Sequence, residues 1–230
     1  MLRCNGVHHL AVCTADIKRQ IEFMNDVLGM ELVALYWMHG VEGAWHGFLR
    51  LHDHSYLAFV QTQEIEKIER KLGVSHSGSP GAPSAGGTMQ HLAFNVDSQD
   101  ELLAFRDRIR SRGITVVGPI HHGMCDSIYF AGPEDLSLEI ATSERAIDGR
   151  AWIDPEVVAL AGITPTELAR FRSPAPFPGE GGHVAQPPLD PTKPSMRGWP
   201  AGVYEQLVQM PDAEFTARMP ETEPPVKVEG

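Results

Sequence analysis

The chain has 230 residues, 42% of them hydrophobic and 21% charged, and a formal net charge of −11. This is globular composition with enough length for a sizeable core; the acidic excess, with no Lys/Arg run to reverse it, disfavours nucleic acid and anionic membrane as partners. No apolar run approaches the ~20 residues that span a bilayer, the opening MLRCNGVHHL lacks a signal-peptide core, and three cysteines without a CxxC pair suit reduced thiols, so a cytoplasmic protein is expected.

Residues 1–62 read as strand, helix and three strands. After the apolar run VHHLAV at 7–12, Ile17, Ile21, Met24 and Leu28 recur at helical spacing, with Thr14 and Asp16 as cap candidates and Gly29 as a stop. MELVALYWM, AWHGFLRLH and HSYLAFVQ follow, rich in β-branched, aromatic and alternating apolar residues. Residues 63–87 begin with a charged helical run, EIEKIERK, and continue as a Gly/Ser/Pro-rich linker.

Residues 88–145 repeat the first order. MQHLAFNV is the strand, and Ser98 with Glu101 forms a capping-box pattern opening a helix that stops at Gly113. ITVVGPIH, DSIYFAG and LSLEIAT complete a second βαβββ module. The HLA triplets of the two modules superpose His9 on His91, an offset of 82 residues, which marks an internal repeat. The expected fold is α+β, with two βαβββ modules pairing into a curved, partly closed sheet.

Residues 146–230 carry most of the 18 prolines. DPEVVALAG and TPTELARF read as short helices with Pro at the first turn, the second with a Thr164/Glu167 capping box. The run after Ser173 reads as a segment without a core of its own, either extended or disordered, and is expected to act as an arm covering the modules or reaching a neighbouring subunit.

Strand alternation points Glu139 away from its apolar neighbours Leu138 and Ile140. A carboxylate facing into a curved sheet is costly unless paired or metal-bound. His9 and His91 hold equivalent positions, and with Glu139 they make two histidines and a carboxylate, the ligand set of open-sided non-haem Fe(II) sites.

HHLAV, QHLAF and IYFAGPEDLSLEI, set in two βαβββ modules, resemble the vicinal oxygen chelate superfamily, which includes glyoxalase I, bleomycin-resistance proteins and type I extradiol dioxygenases. The resemblance covers about 6–142 and implies His9, His91 and Glu139 as metal ligands. Laying LAFV of the first module on LEIA of the second puts Ala58 opposite Glu139, so the fourth ligand of the isomerases is missing; Gln61, three residues on, is the alternative. Three ligands leave room for a vicinal-oxygen substrate and O2.

Tyr129 precedes Glu139 by ten residues, the spacing of a tyrosine in the extradiol enzymes. The resemblance assigns it a hydrogen bond to a ligand oxygen, and assigns acid/base work to His54, with His52 as runner-up. His122 and Trp45 are candidate substrate contacts; His121, Cys125 and Asp126 share the loop of His122, and Trp37 and Phe48 are candidates for lining the same apolar pocket as Trp45. The implied function is extradiol ring cleavage of a catechol-like substrate by a homodimer using Fe(II), with Mn(II), Zn(II) or Ni(II) as alternatives. A glyoxalase-like isomerase, epimerase or lyase, and a non-catalytic small-molecule binding protein, are the other readings.

Overall fold

The computed structural model describes residues 2–219 and 223–228; the remaining positions, at residue 1 and in the 146–230 extension, lie outside the described residues. The chain forms two compact units, one of Cys4–Ser173 and one of Pro174–Gly230 with Met1–Arg3.

In the larger unit, β1 (His9–Cys13), α1 (Ile17–Leu28), β2 (Leu32–Trp37), β3 (Trp45–His52) and β4 (Ser55–Gln61) form the first module. A single helical turn, α2 (Gln63–Glu66), opens the linker. The second module is β5 (Leu92–Val96), α3 (Gln99–Ser111), β6 (Val117–His121), β7 (Asp126–Ala131) and β8 (Ser137–Thr142). Among the described residues the strands make two four-stranded sheets, ordered β1-β4-β3-β2 and β5-β8-β7-β6. In each, the first and last strands pair in parallel and the others antiparallel. The repeat read from HLA is thus a repeat of topology, in an α+β fold whose sheets stay open and unjoined.

Local chemistry explains the helix ends. Asp16 caps α1 by accepting the Arg19 N–H at 3.0 Å. Gly29 ends it in the left-handed region at φ 76°, where a side chain would also strike the Arg108 guanidinium. That guanidinium, from α3, donates to the last carbonyls of α1 at Val27 and Asp26, both at 3.0 Å. Ser98 accepts the Glu101 N–H, but the Glu101 carboxylate reaches back to Asp97 N–H rather than to the cap residue, so the expected box closes one residue early. The charged helix in the linker shrinks to α2 because its buried face is empty: none of its residues is buried, and so short a helix has little stability of its own.

Leu49, Leu57 and Phe59 of the first sheet, Ile128, Phe130, Leu138 and Ile140 of the second, and Met24, Val27, Leu102 and Ile109 of the helices share one core. Each such side chain contributes about 1.5–3 kcal/mol on full burial. Alternation leaves the opposite faces of both sheets for polar and aromatic groups.

A second link joins the modules. Between β7 and β8, a turn at Pro133–Asp135 holds Glu134 and Asp135 at φ 58° and 61°, positions that cost non-glycine residues about 1–3 kcal/mol each. Glu134 offsets this by accepting bonds from the Thr14 hydroxyl (2.5 Å), Ala15 N–H (2.9 Å), Gln20 amide (2.8 Å) and Arg70 guanidinium (3.1 Å). Three of these donors lie on the β1–α1 corner and in α1.

C-terminal to β8 the larger unit adds α4 (Pro155–Leu160) and α5 (Pro165–Arg172), the latter opened by a complete Thr164/Glu167 capping box. The smaller unit holds α6 (Val203–Gln209) and α7 (Asp212–Arg218). It is not a bare extended arm: Met196 and Trp199 of the proline-rich run join Tyr204, Leu207, Phe215 and Met219 around a cavity of about 410 Å³. The α6–α7 pair supplies the apolar surface that the run lacks by itself.

Burial pushes the Glu134 carboxyl up, but the bonds from Thr14, Gln20 and Ala15 and the charge of Arg70 outweigh it and hold the group below its ordinary value of 4.5. Its stabilisation is therefore complete above about pH 4.5 and is lost as pH falls through the lowered folded value. Glu134→Gln is expected to cost about 1–3 kcal/mol in urea unfolding at pH 7, and to flatten the acid limb of the stability–pH curve.

Candidate functional site

The open face of the second sheet gathers four of the residues singled out above. Glu139 sits within β8, in register with Ala93 of β5 on one side and Tyr129 of β7 on the other. It is buried, and its Oε2 lies 2.8 Å from Nε2 of His91, which immediately precedes β5. The first sheet repeats the register, Ala11 against Ala58 where the second has Ala93 against Glu139. Ala58 therefore occupies the equivalent position and offers no donor.

Gln90 decides what His91 presents to the carboxylate. Its amide nitrogen donates to the carbonyls of Ser79 (3.1 Å) and Ala82 (3.2 Å), so its Oε1 faces the ring and accepts from His91 Nδ1–H. With hydrogen on Nδ1, neutral His91 turns a bare Nε2 lone pair toward Glu139. A lone pair and a carboxylate at that separation repel unless a proton or a shared cation accompanies them. The donor types and this support from Gln90 fit a divalent metal.

Tyr129 flanks the pair. Its ring centroid is 6.4 Å from that of His91, and its hydroxyl shares a 2.9 Å hydrogen bond with His122 Nε2. Burial, followed by the neighbouring Glu139 charge, raises the phenol above its ordinary value of 10, so it stays a protonated donor at neutral pH. His122 is exposed in the β6–β7 turn, giving a hydrogen-bonded path from solvent to Tyr129.

A family model described as the Glyoxalase/Bleomycin resistance protein/Dioxygenase superfamily matches residues 6–140. The chain belongs to this superfamily. Biphenyl-2,3-diol 1,2-dioxygenase 2 of Rhodococcus globerulus is 31% identical over 84 residues, covering 36% of this chain and 44% of that protein; the chain thus spans less than half the length of this relative. Similar solved structures include a glyoxylase/bleomycin resistance protein/dioxygenase domain from Frankia sp. EAN1pec (12% identity, 62% of this chain, 100% of that one, TM-score 0.47). Another is an antibiotic binding protein from Streptomyces sp. CB03234 (16%, 63%, 100%, 0.44).

In this superfamily member the remaining candidates fall elsewhere. His9 lies exposed on the open face of the first sheet, its ring 5.3 Å from Phe48 and 6.2 Å from His46. Its Nδ1 lies 2.9 Å from that of His8, which precedes the start of β1 at His9. Among the described residues no group of three or more His, Cys, Asp or Glu is arranged to hold a metal ion. Gln61, the alternative fourth ligand, is engaged elsewhere: its Oε1 accepts the Ile17 N–H at the start of α1 and its amide nitrogen reaches Glu66. His52 and His54 are exposed at the β3–β4 turn; among the described residues their rings make no hydrogen bond or stacking contact. Trp45 is exposed at the start of β3, edge-on to Trp37 at 6.0 Å.

The loop residues divide by face. His122 serves the open side, whereas His121 bonds the buried Asp126 carboxylate at 2.5 Å on the core side, with Arg145 at 3.4 Å. Two residues went unread in the sequence. Gln90 carries no motif, and His46 of AWHGFLRLH shares a strand face with Phe48, a pairing that alternation alone could have flagged. His46 is buried, and burial followed by the adjacent His9 lowers its imidazole below the ordinary 6.5, leaving it neutral at pH 7.

Gln90→Leu is expected to weaken binding of Zn(II) or Fe(II) about 10–100-fold in an anaerobic metal titration, with the circular dichroism spectrum unchanged. An unaltered Kd would remove Gln90 from this role.

Proposed function

We propose that this protein is a metal-dependent dioxygenase of extradiol type acting on a catechol-like aromatic, with His9, His91 and Glu139 as the metal ligands. The observation that carries the reading is the buried Glu139 carboxylate beside an imidazole whose Nδ1–H is already committed to Gln90, together with the alanine at the equivalent position of the first sheet. Iron(II), when bound, would supply the Lewis acid for two vicinal oxygens and the electron pathway that lets a catechol react with O2. Ring cleavage inserts both atoms of O2 into the product, so the balance needs no further reductant. The short stretch shared with the biphenyl-diol dioxygenase supports the same class.

The chain's own residues divide the remaining work. Tyr129, kept protonated by burial and by Glu139, donates to a substrate oxygen and orients it. His122 holds its hydrogen bond to that phenol from the solvent side, and so is placed to relay a proton at the Tyr129 hydroxyl. His54 has no such connection, and the acid/base role passes to His122 in this reading. The expected outcome is oxygen uptake by Fe(II)-loaded protein with a panel of catechols, reduced more than about hundredfold in Glu139→Ala, since removing a ligand exceeds the 10–100-fold cost typical of losing a ligand's supporting partner. No uptake by iron-loaded protein across the panel would shift the assignment to the isomerase or binding readings.

The third ligand sets the oligomer. His9 lies among rings of the first sheet rather than against His91 and Glu139. We propose that a second copy of the chain lends it, in a homodimer. Mixing His9→Ala with Glu139→Ala then restores uptake to about a quarter of native, as heterodimers regain one intact site of two; a mixture as inactive as its parts would place all three ligands in one chain.

A further inference from the structure

One buried polar atom on the open face of the first sheet lacks a partner. His46 is 8% exposed, and its Nε2 has no hydrogen-bond partner among the described residues. Native proteins seldom keep such an atom without a missing partner or a role. Around it lies a continuous set of rings. The His46 centroid is 4.5 Å from Phe48 and 5.8 Å from Tyr36, and Phe48 is 5.3 Å from His9 and 6.1 Å from Tyr56. These residues come from all four strands of the sheet. They share one face, because Leu49 and Leu57 on the alternate positions are committed to the core.

Ring faces at these separations stack on planar π systems, but they give no orientation within the plane. A directional group is required for that, and His46 is the one whose hydrogen bond is unmade. Either tautomer of His46 leads to the same ligand group. Nε2–H would need an acceptor and bare Nε2 a donor, and a hydroxyl answers either case.

We propose that this face binds a planar aromatic ring against Tyr36, Phe48 and His9, and that His46 selects the ligand by hydrogen-bonding a ring hydroxyl additional to a vicinal pair. The inference deepens the dioxygenase reading, in which the vicinal oxygens belong to the metal and His9 serves both groups. The preferred substrate class is then a trihydroxylated ring rather than a plain catechol.

The test is anaerobic calorimetry of the full chain, kept metal-free by chelator, with catechol, pyrogallol and hydroxyquinol. At least one trihydroxy ring is expected to bind about tenfold more tightly than catechol, the yield of one net hydrogen bond. His46→Phe is expected to erase that difference, while Phe48→Ala weakens all three ligands about equally. Equal affinities in the native protein, a difference that survives His46→Phe, or no binding of any of the three would overturn the proposal. If His46→Phe does not fold, His46→Leu, which also lacks a hydrogen-bonding group, serves for the second comparison, and the native ladder decides the first without any variant. Neither metal nor turnover enters this assay. Failure here leaves Glu139-dependent oxygen uptake standing, and absence of uptake leaves the affinity ladder standing.

Discussion

Two-residue alternation in the central strands is the constraint from which the site follows. In β4 and β8, Leu57 and Phe59, and Leu138 and Ile140, are held in the core. Slipping either strand by one residue would expose its apolar set and bury its polar one. The residues between them, Ala58 and Glu139, are thereby delivered to the open faces at matching positions. What looks like the placement of a functional carboxylate is a by-product of how firmly its neighbours are buried.

Glu139 is then a charge in a low-polarity place, and its surroundings respond to that charge. The imidazole of His91 meets it, the Tyr129 phenol beside it is held protonated, and Gln90 fixes His91 by spending its own amide on the linker carbonyls. The linker is therefore part of the site's support, since the Ser77 hydroxyl also bonds the Gln90 carbonyl. A Gly/Ser/Pro-rich composition gives no hint of this, because the contacts use backbone carbonyls, which every sequence has.

The modules are also coupled at places other than His91 and Glu139. Arg108 caps α1 from α3, and Glu134 ties the β7–β8 turn to the β1–α1 corner. Both use a charged side chain of one module to satisfy backbone groups of the other.

The repeat, its two helices and the βαβββ order of each module were legible in the sequence. Each rests on periodicity or on a cap, which are local and survive in one dimension. His91, Glu139 and Tyr129 were singled out by the resemblance of their motifs to a family, and neighbouring strands bring the three together. Tertiary structure alone decided that Gln61 caps α1, that His121 and His122 serve opposite faces, that His46 lies among a set of rings, and that the run after Ser173 finds apolar partners in α6 and α7. Those outcomes depend on which surface a side chain meets across the fold, and residue spacing carries no record of it.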